Sequence, residues 1–141
     1  MSYDSARTAL STALAAVAIA DPAALTITKV YADPPASPQD FPCFVLYGSR
    51  GTEEHNFGGT TARETHTERV RFLVEDEDLE RSAAIVRAFR MATLAALRVQ
   101  GGLGGAATVQ SVTWEEPAGF NYAGSHRTGQ DYLITFHVKA P

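Results

Sequence analysis

The residue types that could carry chemistry in this chain are few, and their spacing argues against a catalytic centre. Four histidines occur, His55, His66, His126 and His137. His55 and His66 share a polar stretch with Glu53, Glu54 and Glu64, which are residue types that ligate metals. Their spacing matches no tetrahedral ligand pattern, so no metal is expected there. His137 alternates with Leu133 and Thr135 on the less apolar face of a strand, the place of a surface or interface histidine. Gly101-Gly102-Leu103-Gly104-Gly105 has the composition of a phosphate loop. However, it follows a helical pattern and precedes a strand pattern, the reverse of what a phosphate cradle needs, and it has no lysine. Glu115 and Glu116 fall on opposite faces of a strand and cannot share a proton. No Gly-X-Ser-X-Gly elbow is present, and loose Ser/His/Asp sets can be picked from any chain of this size. The single cysteine, Cys43, has no partner for an internal disulfide and reads as a small buried apolar residue. No catalytic residue, cofactor or metal is therefore assigned, and the chain is read as a non-enzyme.

The elements that would position these residues centre on Thr67 to Val99. Val70, Phe72 and Val74 alternate with Arg69, Arg71 and Glu75, the period of a strand with one buried face; Leu73 interrupts its wet face. The period then changes. Leu79, Ala83, Val86, Phe89, Arg90, Thr93 and Leu97 recur at three and four, widened by Ile85 and Leu94, as in a long amphipathic helix. Asp76, Glu77 and Asp78 suit its positive N-terminal end, and Gly101-Gly102 stop it. Upstream, the alanine-rich Ser2–Ala20 predicts a first helix, capped by Ser2 or Asp4 and ended by Asp21-Pro22. Leu25–Tyr31 predicts strand one. A stiff connection with four prolines in eleven residues, ADPPASPQDFP, follows it. Cys43–Gly48 predicts strand two, apolar on both faces, hence central in a sheet or covered by another subunit. Thr108–Glu116 and Gln130–Lys139 predict the last two strands.

Two polar stretches remain. Ser49–His66 joins two strands and has no hydrophobic period; it reads as a long hairpin arm reaching a neighbour. The stretch PAGFNYAGSHRTG reads as a second polar loop carrying Phe120 and Tyr122. The expected fold is α+β: an antiparallel or mixed sheet of about four to five strands with two helices against it, in the order α-β-β-β-α-β-β. One domain is expected over 1–141, with the arm around 49–66. Residues assigned to interaction are Arg50, Glu53, Glu54, Phe57 and Arg63 on the arm, and Phe120, Tyr122, His126 and Arg127 on the second loop.

Bulk properties set outer limits. A formal net charge of −4 excludes a basic nucleic-acid binder. The longest apolar run, Ala13–Ala20, is far short of a membrane span and lacks the basic flank of a signal peptide. A cytoplasm, or an assembly made there, is the expected location.

Local phrases add a resemblance. An ALSTALAA helix leads to KVYADPPASPQDFPCFVLYG; a polar hairpin and ERVRFLVEDED running into a helix follow, and the chain closes with YAGSHRTGQDYLITFHVKA. Over nearly its whole length the chain resembles the tail terminator proteins of long-tailed phages and phage-like gene transfer particles. The resemblance implies a virion structural protein of the tail-neck junction, assembled in the bacterial cytoplasm. It implies a homohexameric ring that caps the tail tube, stops its polymerisation and meets a head-side connector or stopper protein. DNA would pass through the channel without sequence-specific binding, and no cofactor would be bound. A −4 subunit could line that channel with negative charge, so that DNA slides without sticking. The alternatives are another neck or head-tail joining subunit, and a small ligand-binding domain or enzyme.

Overall fold

A computed structural model describes residues 3–55, 62–75, 79–99, 103, 107–122 and 125–139. Helix α1 spans Tyr3–Ala15 and α2 spans Leu79–Val99. The strands are β1 (Ala18–Ile19), β2 (Leu25–Thr26), β3 (Lys29–Tyr31), β4 (Cys43–His55), β5 (Ala62–Val74), β6 (Thr108–Trp114), β7 (Ala118–Tyr122) and β8 (Ser125–Lys139). The segments read as helix caps and stops, Ser2, Asp76–Asp78 and Gly101-Gly102, lie outside the described residues.

This architecture overturns the expected α+β fold of four to five strands in the order α-β-β-β-α-β-β. The chain is mainly β, and its order is α-β-β-β-β-β-α-β-β-β. Its main sheet has six strands in the order β3-β4-β5-β8-β6, with β7 also paired to β8, and β1 and β2 form a separate two-stranded ribbon. Only β3 and β4 run parallel. Three local causes account for the difference. The first helix stops at Ala15, and the chain turns at once into β1, which pairs with β2. Leu25–Tyr31 is cut in two because Thr28 turns aside, donating its backbone N–H to Pro42 O and its hydroxyl to Phe41 O. Finally, the polar stretch after Pro117 is paired strand rather than loop, since Ala118–Tyr122 runs antiparallel to Ser125–Gly129.

The helices share one face of the main sheet. Ala6, Leu10 and Leu14 of α1 and Ile85, Val86, Phe89 and Leu97 of α2 form one core with Phe44, Leu46, Val70, Phe72, Val74, Tyr132, Ile134, Phe136 and Val138. On β6, a register shift between Val109 and Ser111 puts both Val109 and Val112 against this core, where strict alternation would have split them. The opposite face carries a second, smaller core. Cys43, Val45 and Leu73 are fully buried there under Tyr31, Phe41, Tyr47, Phe120 and Tyr122. Leu73, the apolar interruption of the wet face, is thus a core residue. Strand β4 is apolar on both faces because its own chain covers both.

Two glycines permit this shape. Gly48 has φ 105° at a bulge in β4, a conformation that L side chains avoid. Gly129 lies where β8 presses on β5: a Cβ there would meet Phe72 O at 2.0 Å and Leu73 Cδ2 at 2.9 Å. With no side chain at Gly129, the β7–β8 end can coil over the second core. Gly129→Ala is expected to lower the unfolding free energy by about 1–3 kcal/mol through overpacking, read as a drop in the urea midpoint. An unchanged midpoint would show that the two backbones do not approach this closely.

Candidate functional site

The most connected polar group outside the helices sits on the second face. Directly opposed residues of neighbouring strands share a face, and Arg71 of β5 lies opposite Asp131 of β8. Arg71 donates from Nε to Asp131 Oδ1 (2.7 Å) and from Nη2 to Oδ2 (3.1 Å), a bidentate pair. Arg69, two residues along, adds a bond from Nη2 to Asp131 Oδ2 at 2.9 Å. The remaining arm of Arg71 donates to Tyr122 Oη at 3.0 Å, and Tyr122 shares a 2.8 Å hydrogen bond with Tyr47 Oη of β4. The guanidinium also lies 3.8 Å from the centroid of Phe120. Strands β7 and β4, which are separated in the sheet by β8 and β5, are thereby joined across the coiled face.

The electrostatics follow from these contacts. Burial alone would raise the pKa of Asp131, but the hydrogen bonds and charges of Arg71 and Arg69 outweigh it and hold the carboxyl below its ordinary range. Burial opposes the charge on Arg71, and its bonds to Asp131 and Tyr122 restore it with a net rise. Burial, reinforced by the Tyr122 hydrogen bond, pushes the Tyr47 phenol up to about 12. Burial, reinforced by Asp40, likewise pushes the Cys43 thiol up to about 12. At neutral pH the cluster therefore offers an ionised carboxylate already committed to two arginines, a neutral phenol and a neutral thiol. That is a clamp, poorly suited to proton transfer or nucleophilic attack. Among the described residues, no group of three or more His, Cys, Asp or Glu could hold a metal ion.

The residues assigned to interaction divide between the β4–β5 pair and the β7–β8 pair. On β4 and β5, Arg50 lies opposite Thr67, Glu53 opposite Glu64 and Glu54 opposite Arg63. Arg50, Glu53 and Arg63 are exposed, and Phe57 lies outside the described residues. On β7 and β8, Phe120 lies opposite Arg127, and Asn121 lies opposite His126. Phe120 and Tyr122 turn inward onto Arg71. Arg127 stacks on Phe41 at 4.6 Å, while His126 stays exposed above Gly119. Asp131, Tyr47 and the fully buried Glu68 were missed as polar anchors. In the sequence Glu68 and Asp131 are two acidic residues among sixteen and Tyr47 is one aromatic among several, so strand register is needed to pair them. Next to the clamp, Arg69, Thr113, Trp114, Glu115, Asp131 and Leu133 line an open groove of about 350 Å³.

In comparison with known proteins, no family matches this chain and no curated protein matches it.

Because the pKa of Asp131 is depressed in the fold, its stabilisation is present above the unfolded value, about 3.9, and is lost as pH falls through the folded value. Asp131→Asn is expected to cost about 1–3 kcal/mol at pH 7 and to flatten the decline of stability between pH 5 and pH 2, both read by urea unfolding. Equal acid slopes in variant and parent would show that Asp131 is not clamped by the arginines. Tyr122→Phe should cost about 1 kcal/mol, measured the same way, and leave the acid slope unchanged.

Proposed function

We propose that the chain is a structural subunit of a virion, a tail terminator whose copies form a ring between a tail tube and a head-side connector. The observation that supports this reading is the opposed placement of its two hairpins. The pairing of β4 with β5 runs out to His55 opposite Ala62, at the end of β5 where Arg63 also meets Lys139 of β8. The β7–β8 pair closes beyond the other end, past Val74 opposite Thr128, with Tyr122 opposite Ser125. One end of the sheet therefore presents Glu53 and Arg63, and the other presents Asn121, Ser125 and His126, all of them exposed. A subunit with different surfaces at two ends can hold unlike partners above and below it, as a cap between tube and connector must. The cap accepts one tube end and does not offer that end again, so growth stops. The role is structural rather than catalytic, and DNA passes through the ring without sequence readout.

Purified protein mixed with tail tubes and viewed by electron microscopy is expected to show six-fold rings, or caps at one end of each tube. Replacing residues 54–63 by a tight Asn-Gly turn should leave the urea midpoint within about 1 kcal/mol of the parent and abolish capping. Monomers beside uncapped tubes in the parent sample would overturn the terminator reading. Capping by the trimmed variant would overturn the role given to the β4–β5 end.

A further inference from the structure

We infer that copies of this chain join edge to edge, with β6 of one copy adding antiparallel to the outer edge of β4 in the next, so that their main sheets run on as one. The inference rests on the ring reading, for which it supplies the contact between subunits.

Two open edges carry it. Strand β3 covers the outer edge of β4 only along Cys43–Val45. Arg7 then caps the next carbonyl, Leu46 O, at 3.3 Å. From Gly48 to His55, among the described residues, β5 is the only strand paired with β4. At the far side of the sheet, β6 is paired only with β8 among the described residues. Solvated sheet edges are ordinarily defended by charge or proline. The β6 sequence TVQSVTW has neither, and its β-branched residues favour extended pairing. Its one irregularity is the bulge at Gln110. The Gly48–His55 stretch of β4 also lacks proline, and with the two edges level its Arg50 would face neutral Ser111, while Glu53 and Glu54 run past the start of β6 at Thr108.

Height and direction match as well. Thr52 lies opposite Thr65, Thr65 opposite His137, and His137 opposite Thr108. Arg50 lies opposite Thr67, Thr67 opposite Thr135, and Thr135 opposite Ser111. The two open edges are therefore level across the sheet. Each step from β4 through β5 and β8 to β6 is antiparallel, so β6 runs against β4. Rotating one copy about an axis along the strands brings β6 beside β4 of the next with the antiparallel alternation unbroken. Repeating that rotation closes a ring in which β6 and the stretch of β4 beyond β3 are both paired. Pairing β6 with β6 about a two-fold axis would leave both β4 edges open.

Cysteine cross-linking tests the contact. Thr52, Thr108, Arg50 and Ser111 are all exposed, so substitution there leaves the core intact. Cys43 is fully buried and does not compete for oxidation. The double variants Thr52→Cys with Thr108→Cys, and Arg50→Cys with Ser111→Cys, are oxidised at high protein concentration and run on non-reducing gels. A ladder of multimers from either double variant, with none from the four single variants, is the expected result. No ladder from either pair, or a dimer from a single variant, overturns the edge pairing. Electron microscopy of the same samples separates the two claims: rings without cross-links sink the edge contact alone, and monomers at every concentration sink the ring as well.

Discussion

A carboxylate with no exposure to water must be given donors by the fold, and Glu68, in the middle of β5, is given three. Tyr3 Oη donates to it at 2.5 Å, Arg7 Nε at 3.1 Å and the backbone N–H of Gly48 at 3.0 Å. Leaving such a group unpaired would cost several kcal/mol, so the three donors are not free to drift. Tyr3 and Arg7 fix the first turns of α1 on the sheet. Gly48 can aim its N–H at the carboxylate because the bulge puts it at positive φ. Arg7 also donates from Nη2 to Ala32 O and Leu46 O, which holds the chain just after β3 against β4. One buried charge thus sets the seat of a helix, the position of a bulge and the end of an edge strand.

The same strand carries the second anchor on its other face. Arg69 and Arg71 alternate with the apolar residues that face the helices, and Asp131 answers them from β8. Strand β5 is therefore specified twice. A slip of one residue would put Glu68 among the aromatic rings and Arg71 under α2. That double constraint keeps β5 and its two long neighbours in one register along their whole paired length.

The parts of this arrangement that the sequence discloses are those with a strong period. Val70, Phe72 and Val74 mark the buried face of β5, and the stripe through Val86, Phe89 and Leu97 marks the sheet-facing side of α2; both lie in the core. What escapes is what depends on distant partners. Leu25–Tyr31 looks continuous until Thr28 is seen bonding to Phe41 and Pro42. Phe120 and Tyr122 look like lone aromatics on a polar loop, because nothing local shows that the sheet coils at Gly129 and brings them onto Arg71. Turn-like composition concealed β7, whose pairing with β8 is imposed by strand register rather than by propensity. The clamp has the same character. Its arginines were visible as an alternation, whereas its carboxylate was one acidic residue among many until the register set it opposite them.

The coil at Gly129 has a consequence for the surface. By folding Phe120 and Tyr122 inward, it satisfies the apolar residues of that end within the chain, so the second hairpin offers mainly polar contacts. The charged pairs of the β4–β5 end are likewise polar. Polar ends of this kind favour specific over random contacts, since like charges or unmatched donors reject a wrong surface. The β6 edge is different: it carries backbone groups without charged side chains, and such groups pair readily with a strand of suitable direction. Among the described residues β6 is paired on one side only, and under the edge contact proposed above a second copy would supply a level, antiparallel edge at β4. The repulsion between copies that each carry a formal charge of −4 opposes random clustering while leaving a short-range, directional ladder able to form. On the ring reading proposed above, selectivity at the ends and permissiveness at the edges would let a subunit meet its own kind sideways and different partners above and below.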